Sequence, residues 1–95
     1  MLFEPSHLIQ AQVKTSKETL QKSFGLHVNR LRTDKGLTQV EVSGSMDKDQ
    51  QSLQRIESGN VSPSLYYLWQ LAQALDISLA KLVTFDLLDS KKKRH

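Results

Sequence analysis

The stretch Gln50-Gln51-Ser52-Leu53-Gln54-Arg55-Ile56-Glu57 decides which fold this chain of 95 residues predicts. Leu53 and Ile56 are three residues apart, the spacing of two side chains on the inner face of a helix. The outer face of that helix would then carry Gln50, Gln51, Gln54 and Arg55. Glutamine can bind N6 and N7 of adenine, and arginine can bind O6 and N7 of guanine. This face therefore suits the DNA major groove, although a polar stripe is by default only the solvated side of a helix.

A second short helix is predicted immediately before this stretch. Thr38-Gln39-Val40-Glu41 has the pattern of a capping box, in which threonine begins the helix and glutamate follows three residues later. Val42 and Met46 supply its apolar face, and Asp49 is a good N-cap for the next helix. Helices over 39–45 and 50–57, joined by a tight turn, have the spacing of a helix-turn-helix unit.

A longer helix is predicted before this unit. Thr15-Ser16-Lys17-Glu18 is another capping box, and Gly36 is a suitable C-terminal stop, so we expect a helix from about 16 to 34. Its apolar stripe has spacings of four, four and three and consists of Leu20, Phe24, Val28 and Leu31. Residues 1–14 are predicted to be a flexible arm, a short extra helix or a partner-binding segment.

Two further helices are predicted after the unit. Ser64 is an N-cap for a helix whose apolar stripe consists of Leu65, Leu68, Leu71, Ala72 and Leu75. Tyr66, Tyr67 and Trp69 lie partly off this stripe and are expected to pack at its rim. Ser78 would begin a last helix with Leu79, Leu82 and Val83 inward. We therefore predict an all-α, five-helix domain over residues 15–84, followed by a basic C-terminal tail over residues 85–95.

Composition excludes several classes of function. The chain has no cysteine, and its three histidines (His7, His27 and His95) show no ligand spacing, so neither a metal site nor another cofactor is expected. No catalytic motif is found, so we predict no enzyme and no catalytic residue. No apolar run is long enough to cross a membrane and no signal peptide is found, so a soluble cytoplasmic protein is expected. The net charge of +3, part of it in Lys91-Lys92-Lys93-Arg94, suits a polyanionic partner.

These motifs together resemble a known family. Residues 24 to 83, about two-thirds of the chain, look like the helix-turn-helix domain of the lambda-repressor/Cro type, the XRE-like class of bacterial and phage regulators. The matching segments are Leu31-Arg32, Gly36-Leu37-Thr38-Gln39, Arg55-Ile56-Glu57-Ser58-Gly59, Ser62-Pro63-Ser64-Leu65, Leu71-Ala72-Gln73-Ala74-Leu75 and Leu79-Ala80-Lys81-Leu82. The chain departs from the family at Asp47, where glycine is usual, at Lys48, where the residue is usually apolar, and at Ser43, where alanine is usual.

The resemblance implies a role for each matching residue. Gln50, Gln51, Gln54 and Arg55 would contact bases. The residues implied to contact the DNA backbone are Thr38, Gln39, Lys48, Ser52 and Asn60. Arg32 and Glu57 would form a structural ion pair between the first helix and the recognition helix.

Two functions remain open from the sequence. The first is a transcriptional regulator, expected to be a repressor, that binds double-stranded DNA as a homodimer on a palindromic operator. Its candidate dimer surfaces are the last two helices with Phe85, Leu87 and Leu88, or the N-terminal segment; ordinary core closure is an equal alternative for 85–88. The second is a protein-interaction adaptor on the same fold, with a toxin or co-regulator as partner and weak or no DNA binding.

Overall fold

Five helices make up the fold over the described part of the chain. The computed structural model describes the backbone of residues 5–88 and the side chains of residues 17–88. Its helices are α1 (Pro5–Asp34), α2 (Gln39–Ser45), α3 (Gln50–Glu57), α4 (Leu65–Ala74) and α5 (Leu79–Leu82). Residues 5–88 contain no strand, so the prediction of an all-α, five-helix fold is confirmed. Within the same range, no helix is long and apolar enough to cross a membrane.

Local capping explains where α2 to α5 begin. Each is preceded by an extended residue whose side-chain oxygen accepts a hydrogen bond from a backbone N–H in the first turn: Thr38, Asp49, Ser64 and Ser78. The capping box between Thr38 and Glu41 is complete. In the α2–α3 turn, Asp47 adopts a left-handed conformation with φ of 58°. Aspartate tolerates this region better than most residues, so the turn forms without the glycine that is usual in similar domains.

The predicted start of the first helix is wrong. Instead of beginning near residue 16, α1 begins at Pro5 and continues without interruption to Asp34. Proline suits the first position of a helix, where its missing N–H removes no hydrogen bond. A capping box does not end a helix that is already formed, so Thr15 and Glu18 lie inside α1. Residues 1–4 and the basic segment 91–94 lie outside the described part of the chain.

The core lies between α1 and the other four helices. Its buried apolar side chains are Phe24, Val28, Val42, Met46, Leu53, Ile56, Leu71, Ala72, Leu75 and Leu82. Three residues predicted to face inward are instead exposed: Leu20 at 49%, Leu65 at 71% and Val83 at 46%. Leu65 is the first residue of α4 and Val83 follows the last residue of α5, so both extend past the edge of the core.

A close helix contact sets the position of α3. A Cβ atom on Gly25 would lie 2.5 Å from the carbonyl oxygen of Glu57 and 2.6 Å from that of Ile56. Both distances are shorter than van der Waals contact, so α1 approaches the end of α3 this closely only because residue 25 has no side chain. The backbone of α1 is therefore the support against which the C-terminal end of α3 is placed.

The segment after α5 closes the core against α1. The ring of Phe85 lies 5.4 Å from that of Phe24 and 5.3 Å from that of His27, measured between centroids. The backbone N–H of Leu88 donates to Ser23 Oγ at 3.0 Å. The sequence left a dimer surface and core closure as alternatives for residues 85–88, and in the structure Phe85 closes the core.

Candidate nucleic-acid interface

The outer face of α3 carries the four predicted base-contacting residues. Leu53 and Ile56 are 0% and 3% exposed and anchor the helix in the core. All four predicted base-contacting residues are exposed on the opposite side. Among the described residues, the side chains of Gln51, Gln54 and Arg55 have no hydrogen-bond or ion-pair partner. Their donors and acceptors are therefore free for an external ligand.

Glu57, the last residue of α3, joins three helices. Its Oε2 accepts a hydrogen bond from Arg32 Nε at 2.7 Å. Its Oε1 accepts from Arg32 Nη2 at 2.9 Å, from Asn29 Nδ2 at 2.9 Å and from Gln39 Nε2 at 3.0 Å. Because Asn29 and Arg32 belong to α1 and Gln39 to α2, this one carboxylate connects α3 to both.

The contacts of Glu57 also fix its charge. Burial alone would raise its pKa, but hydrogen bonds from Arg32, Asn29 and Gln39, with the positive charge of Arg32, outweigh burial and hold the pKa below its usual value. The hydrogen bond with Glu57 in turn raises the pKa of Arg32. Both groups are therefore charged at neutral pH, although the side chain of Glu57 is only 6% exposed and that of Arg32 only 11%.

Gln39 connects this ion pair to the exposed face of α3. A carboxylate can only accept hydrogen bonds, so the Gln39 amide must present its NH₂ group to Glu57. Its Oε1 then faces the opposite way and accepts a hydrogen bond from Gln50 Nε2 at 3.3 Å. The side chain of Gln39, for which the resemblance implies a phosphate contact, thus holds the first residue of α3 in the structure.

The other residues implied to contact phosphate divide into two pairs. Lys48 and Asn60 are exposed, and among the described residues their side chains have no partner. Thr38 and Ser52 are engaged within the domain. Thr38 caps α2, whereas the Ser52 hydroxyl donates to the carbonyl oxygen of Asp49 at 3.0 Å. The structure thus leaves the side chains of Lys48 and Asn60, placed before and after α3, free for contact.

Two residues of this region were not predicted from the sequence. Asn29 binds Glu57 and lies three residues before Arg32 on α1, a spacing that puts both on one helix face. Tyr67 of α4 lies 3.1 Å from Ser52 Oγ, and its hydroxyl must donate because the Ser52 proton is used on Asp49. Burial raises the pKa of Tyr67, so it keeps this proton at neutral pH. No spacing in the sequence indicates the Tyr67 contact.

Comparison with known proteins gives the family and the fold that the sequence motifs resemble. The model of the helix-turn-helix family HTH_3 matches residues 28–82. The uncharacterised HTH-type transcriptional regulator y4dJ of Sinorhizobium fredii is 43% identical over 65 residues, which are 68% of this chain and 84% of that protein.

Solved structures of bacterial regulators are also similar to this protein, and two of them are as follows. The restriction-modification controller protein C.AhdI of Aeromonas hydrophila has a TM-score of 0.62 and 36% identity, over 66% of this chain and 94% of its own. The clp gene regulator ClgR of Corynebacterium glutamicum has a TM-score of 0.64 and 26% identity, over 67% of this chain and 68% of its own. The chain therefore belongs to the XRE-type helix-turn-helix family HTH_3 of transcriptional regulators.

Proposed function

We propose that the protein binds double-stranded DNA sequence-specifically, with α3 in the major groove, and acts in the cytoplasm as a dimeric repressor of transcription. The observation that carries this proposal is the outer face of α3. It presents three unpartnered side chains that can bind base edges, on a helix whose inner face is fully buried. Direct readout needs this combination of free polar groups and a rigid support.

The contacts of Gln50 support a specific mode of base recognition. One amide hydrogen of Gln50 is used on Gln39, which leaves its Oε1 and the second hydrogen for a base. Adenine presents a matching donor at N6 and an acceptor at N7. Because Glu57 fixes the Gln39 amide and Gln39 fixes the Gln50 amide, Gln50 keeps the orientation that binds adenine. Arg55, with no partner of its own, would bind guanine.

The remaining site residues are proposed to position the protein on the DNA backbone. Lys48 and Asn60 would contact phosphates near the two ends of α3, while Thr38 and Ser52 would touch the backbone with groups that also hold α2 and α3 in place. One recognition helix reads about four to six base pairs, which is too few to select a site in a genome. We therefore propose a homodimer on a palindrome. We do not adopt the adaptor hypothesis, because the proteins to which the chain is similar are described as regulators or controllers.

The test is Gln51→Ala, measured by fluorescence anisotropy on a duplex operator enriched by in-vitro selection with the unmodified protein and on a random duplex of equal length. The variant should lose roughly 1–3 kcal/mol on the operator and little on the random duplex. Glu18→Ala is the control, since Glu18 is an exposed residue of α1 that belongs neither to the base-contacting set nor to the last two helices. Equal losses on both duplexes would remove Gln51 from the base-contacting set.

A further inference from the structure

The hydroxyl of Tyr67 lies at the first turn of α3, next to the exposed face of that helix. The half-buried ring of Tyr67 packs against the core from α4, and its Oη is 3.1 Å from Ser52 Oγ. Within residues 17–88 this is the one hydrogen bond that joins a residue of α4 to a residue of α3. Ser52 belongs to the capped start of α3, because its backbone N–H donates to the side chain of Asp49 at 3.0 Å. The hydroxyl of Tyr67 is therefore held where α3 begins.

The hydroxyl of Ser52 has no proton left for a ligand. A serine hydroxyl carries a single proton, and Ser52 donates it to the carbonyl oxygen of Asp49 at 3.0 Å. The oxygen of Ser52 in turn accepts from Tyr67. Phosphate oxygens of DNA are acceptors, so a phosphate beside these two hydroxyls needs a donor. Tyr67 is the first donor of this chain of hydrogen bonds, so its proton is the one that an external acceptor can draw away.

We propose that Tyr67 contacts the DNA backbone, with its hydroxyl donating to a phosphate oxygen beside the first turn of α3. This contact rests on the DNA-binding function proposed above and adds to it a residue that no sequence motif indicates. The backbone contact that the family resemblance implies for Ser52 is then made through the hydroxyl of Tyr67.

The place of this hydroxyl on α3 suits a phosphate contact. Successive residues of a helix are about 100° apart, so Ser52 lies on the flank of α3 between the exposed Gln51 and the buried Leu53. A helix of about 10–12 Å diameter fills a major groove that is about 12 Å wide. With Gln51 directed at the bases, the flanks of α3 therefore face the phosphates that border the groove. Tyr67 extends the flank at Ser52 with a second hydroxyl.

The two hydroxyls can change their hydrogen bonds without movement of either side chain. Ser52 turns its O–H from the carbonyl oxygen of Asp49 to Tyr67 Oη, and Tyr67 turns its O–H from Ser52 Oγ to the phosphate oxygen. The carbonyl oxygen of Asp49 keeps a hydrogen bond from the backbone N–H of Ser52 at 3.3 Å. One hydrogen bond between neutral groups is thus exchanged for one to a charged oxygen, which is roughly twice as strong. This exchange favours the DNA-bound arrangement.

The electrostatic surroundings keep Tyr67 a donor. Burial raises the pKa of its phenol, and the negative charges of Asp49 and Glu57 raise it too, against a lowering by the hydrogen bond with Ser52. A phosphate nearby would raise this pKa further, since a negative charge disfavours the phenolate. Lys48, which is exposed and has no partner among the described residues, supplies the positive charge that offsets Asp49 at this end of α3.

The experiment compares Tyr67→Phe with Ser52→Ala by fluorescence anisotropy, on the operator enriched by in-vitro selection and on a random duplex of equal length. Tyr67→Phe keeps the ring and should fold, which circular dichroism checks. It should weaken binding about tenfold per bound copy on both duplexes, because a hydrogen bond to a charged group is lost. Ser52→Ala leaves the Tyr67 hydroxyl in place, so it should weaken binding by less than about threefold.

A second measurement separates a phosphate contact from an effect on the position of α3. In a methylphosphonate scan of the operator, each substitution neutralises one phosphate. Neutralising one particular phosphate of each half-site should weaken binding of the unmodified protein and of Ser52→Ala about tenfold more than it weakens binding of Tyr67→Phe. The remaining phosphates are the internal control, and their effects should be the same in all three proteins.

The outcomes separate this contact from the proposed function. The contact is overturned if Tyr67→Phe binds both duplexes as the unmodified protein does, if it loses affinity on the operator alone, or if its methylphosphonate pattern is unchanged. It is also overturned if Ser52→Ala removes the sensitivity to the same phosphate, because Ser52 is then the donor. If selection enriches no sequence but Tyr67→Phe still weakens binding to the random duplex about tenfold, sequence-specific recognition fails and the Tyr67 contact stands. If the unmodified protein binds no duplex, both fail.

Discussion

Replacing Glu57 with glutamine tests the network that holds the recognition helix. Glu57→Gln keeps the shape of the side chain but removes its charge and converts one acceptor oxygen into a donor. Because Oε1 accepts three hydrogen bonds and Oε2 accepts one, that new donor faces a donor of Arg32, Asn29 or Gln39 whichever way the amide lies. Arg32 is also left as an uncompensated charge.

The size of the effect follows from the burial of the ion pair. Glu57 is 6% and Arg32 is 11% exposed, so water screens the pair only weakly. Removing one partner of such a pair costs about 3–5 kcal/mol. A domain of this size has a free energy of unfolding of about 5–15 kcal/mol, so the variant should lose a large share of its stability.

The assay is urea unfolding at pH 7, followed by the emission of Trp69 and by circular dichroism. Glu41→Gln is the matched control, because Glu41 is an exposed glutamate and glutamine also serves in a capping box. The double variant with Arg32→Met should lose less than the sum of the single losses, since it removes the uncompensated charge. A loss of less than about 1 kcal/mol for Glu57→Gln, similar to that of the control, would refute the role assigned to the network.

Three further predictions follow from the same structure. Gly25→Ala should destabilise the domain by about 1–3 kcal/mol in urea unfolding, because the new Cβ would meet two backbone carbonyls of α3. In the control Gly44→Ala the new Cβ has open space, so this variant should be neutral or more stable by up to about 1 kcal/mol. Equal effects of the two substitutions would argue against the close contact at Gly25. Because the folded state lowers the pKa of Glu57, this residue stabilises the domain fully above its ordinary pKa of 4.5, and the stabilisation is lost as the pH falls below that value. Glu57→Gln should abolish this part of the pH dependence in unfolding curves measured between about pH 3 and pH 7. An unchanged pH dependence in the variant would speak against the role of Glu57. Deleting residues 91–95 should reduce the slope of log binding constant against log salt by up to about four, and an unchanged slope would show that the four basic residues do not meet phosphate.

Features that depend on local chemistry were predictable from the sequence. The starts of α2 to α5 follow from Thr38, Asp49, Ser64 and Ser78, because an N-cap acts within its own turn. The start of α1 was not predictable in this way. Thr15 and Glu18 form the same local pattern, but α1 begins upstream at Pro5. The backbone N–H groups after Thr15 therefore bond to carbonyls of the preceding turn and need no cap.

Features that depend on distant contacts could not be predicted. The need for glycine at Gly25 arises only where α1 meets the end of α3, 31 residues later at Ile56. The contact between Gln39 and Gln50 depends on the angle between α2 and α3, which the hydrophobic pattern does not specify. The exposure of Leu65 depends on where the core ends rather than on its place in the helical stripe. Sequence patterns therefore place residues on helix faces but do not identify their partners.

The most direct test of DNA recognition by α3 is in-vitro selection from a library of random duplexes, followed by binding measurements at two salt concentrations. We expect enrichment of a palindrome whose half-sites are about one helical turn apart and contain adenine and guanine for Gln50 and Arg55. Gln51→Ala should weaken the enrichment. Selection that enriches no sequence, with binding that is weak and strongly salt-dependent, would contradict DNA recognition by α3.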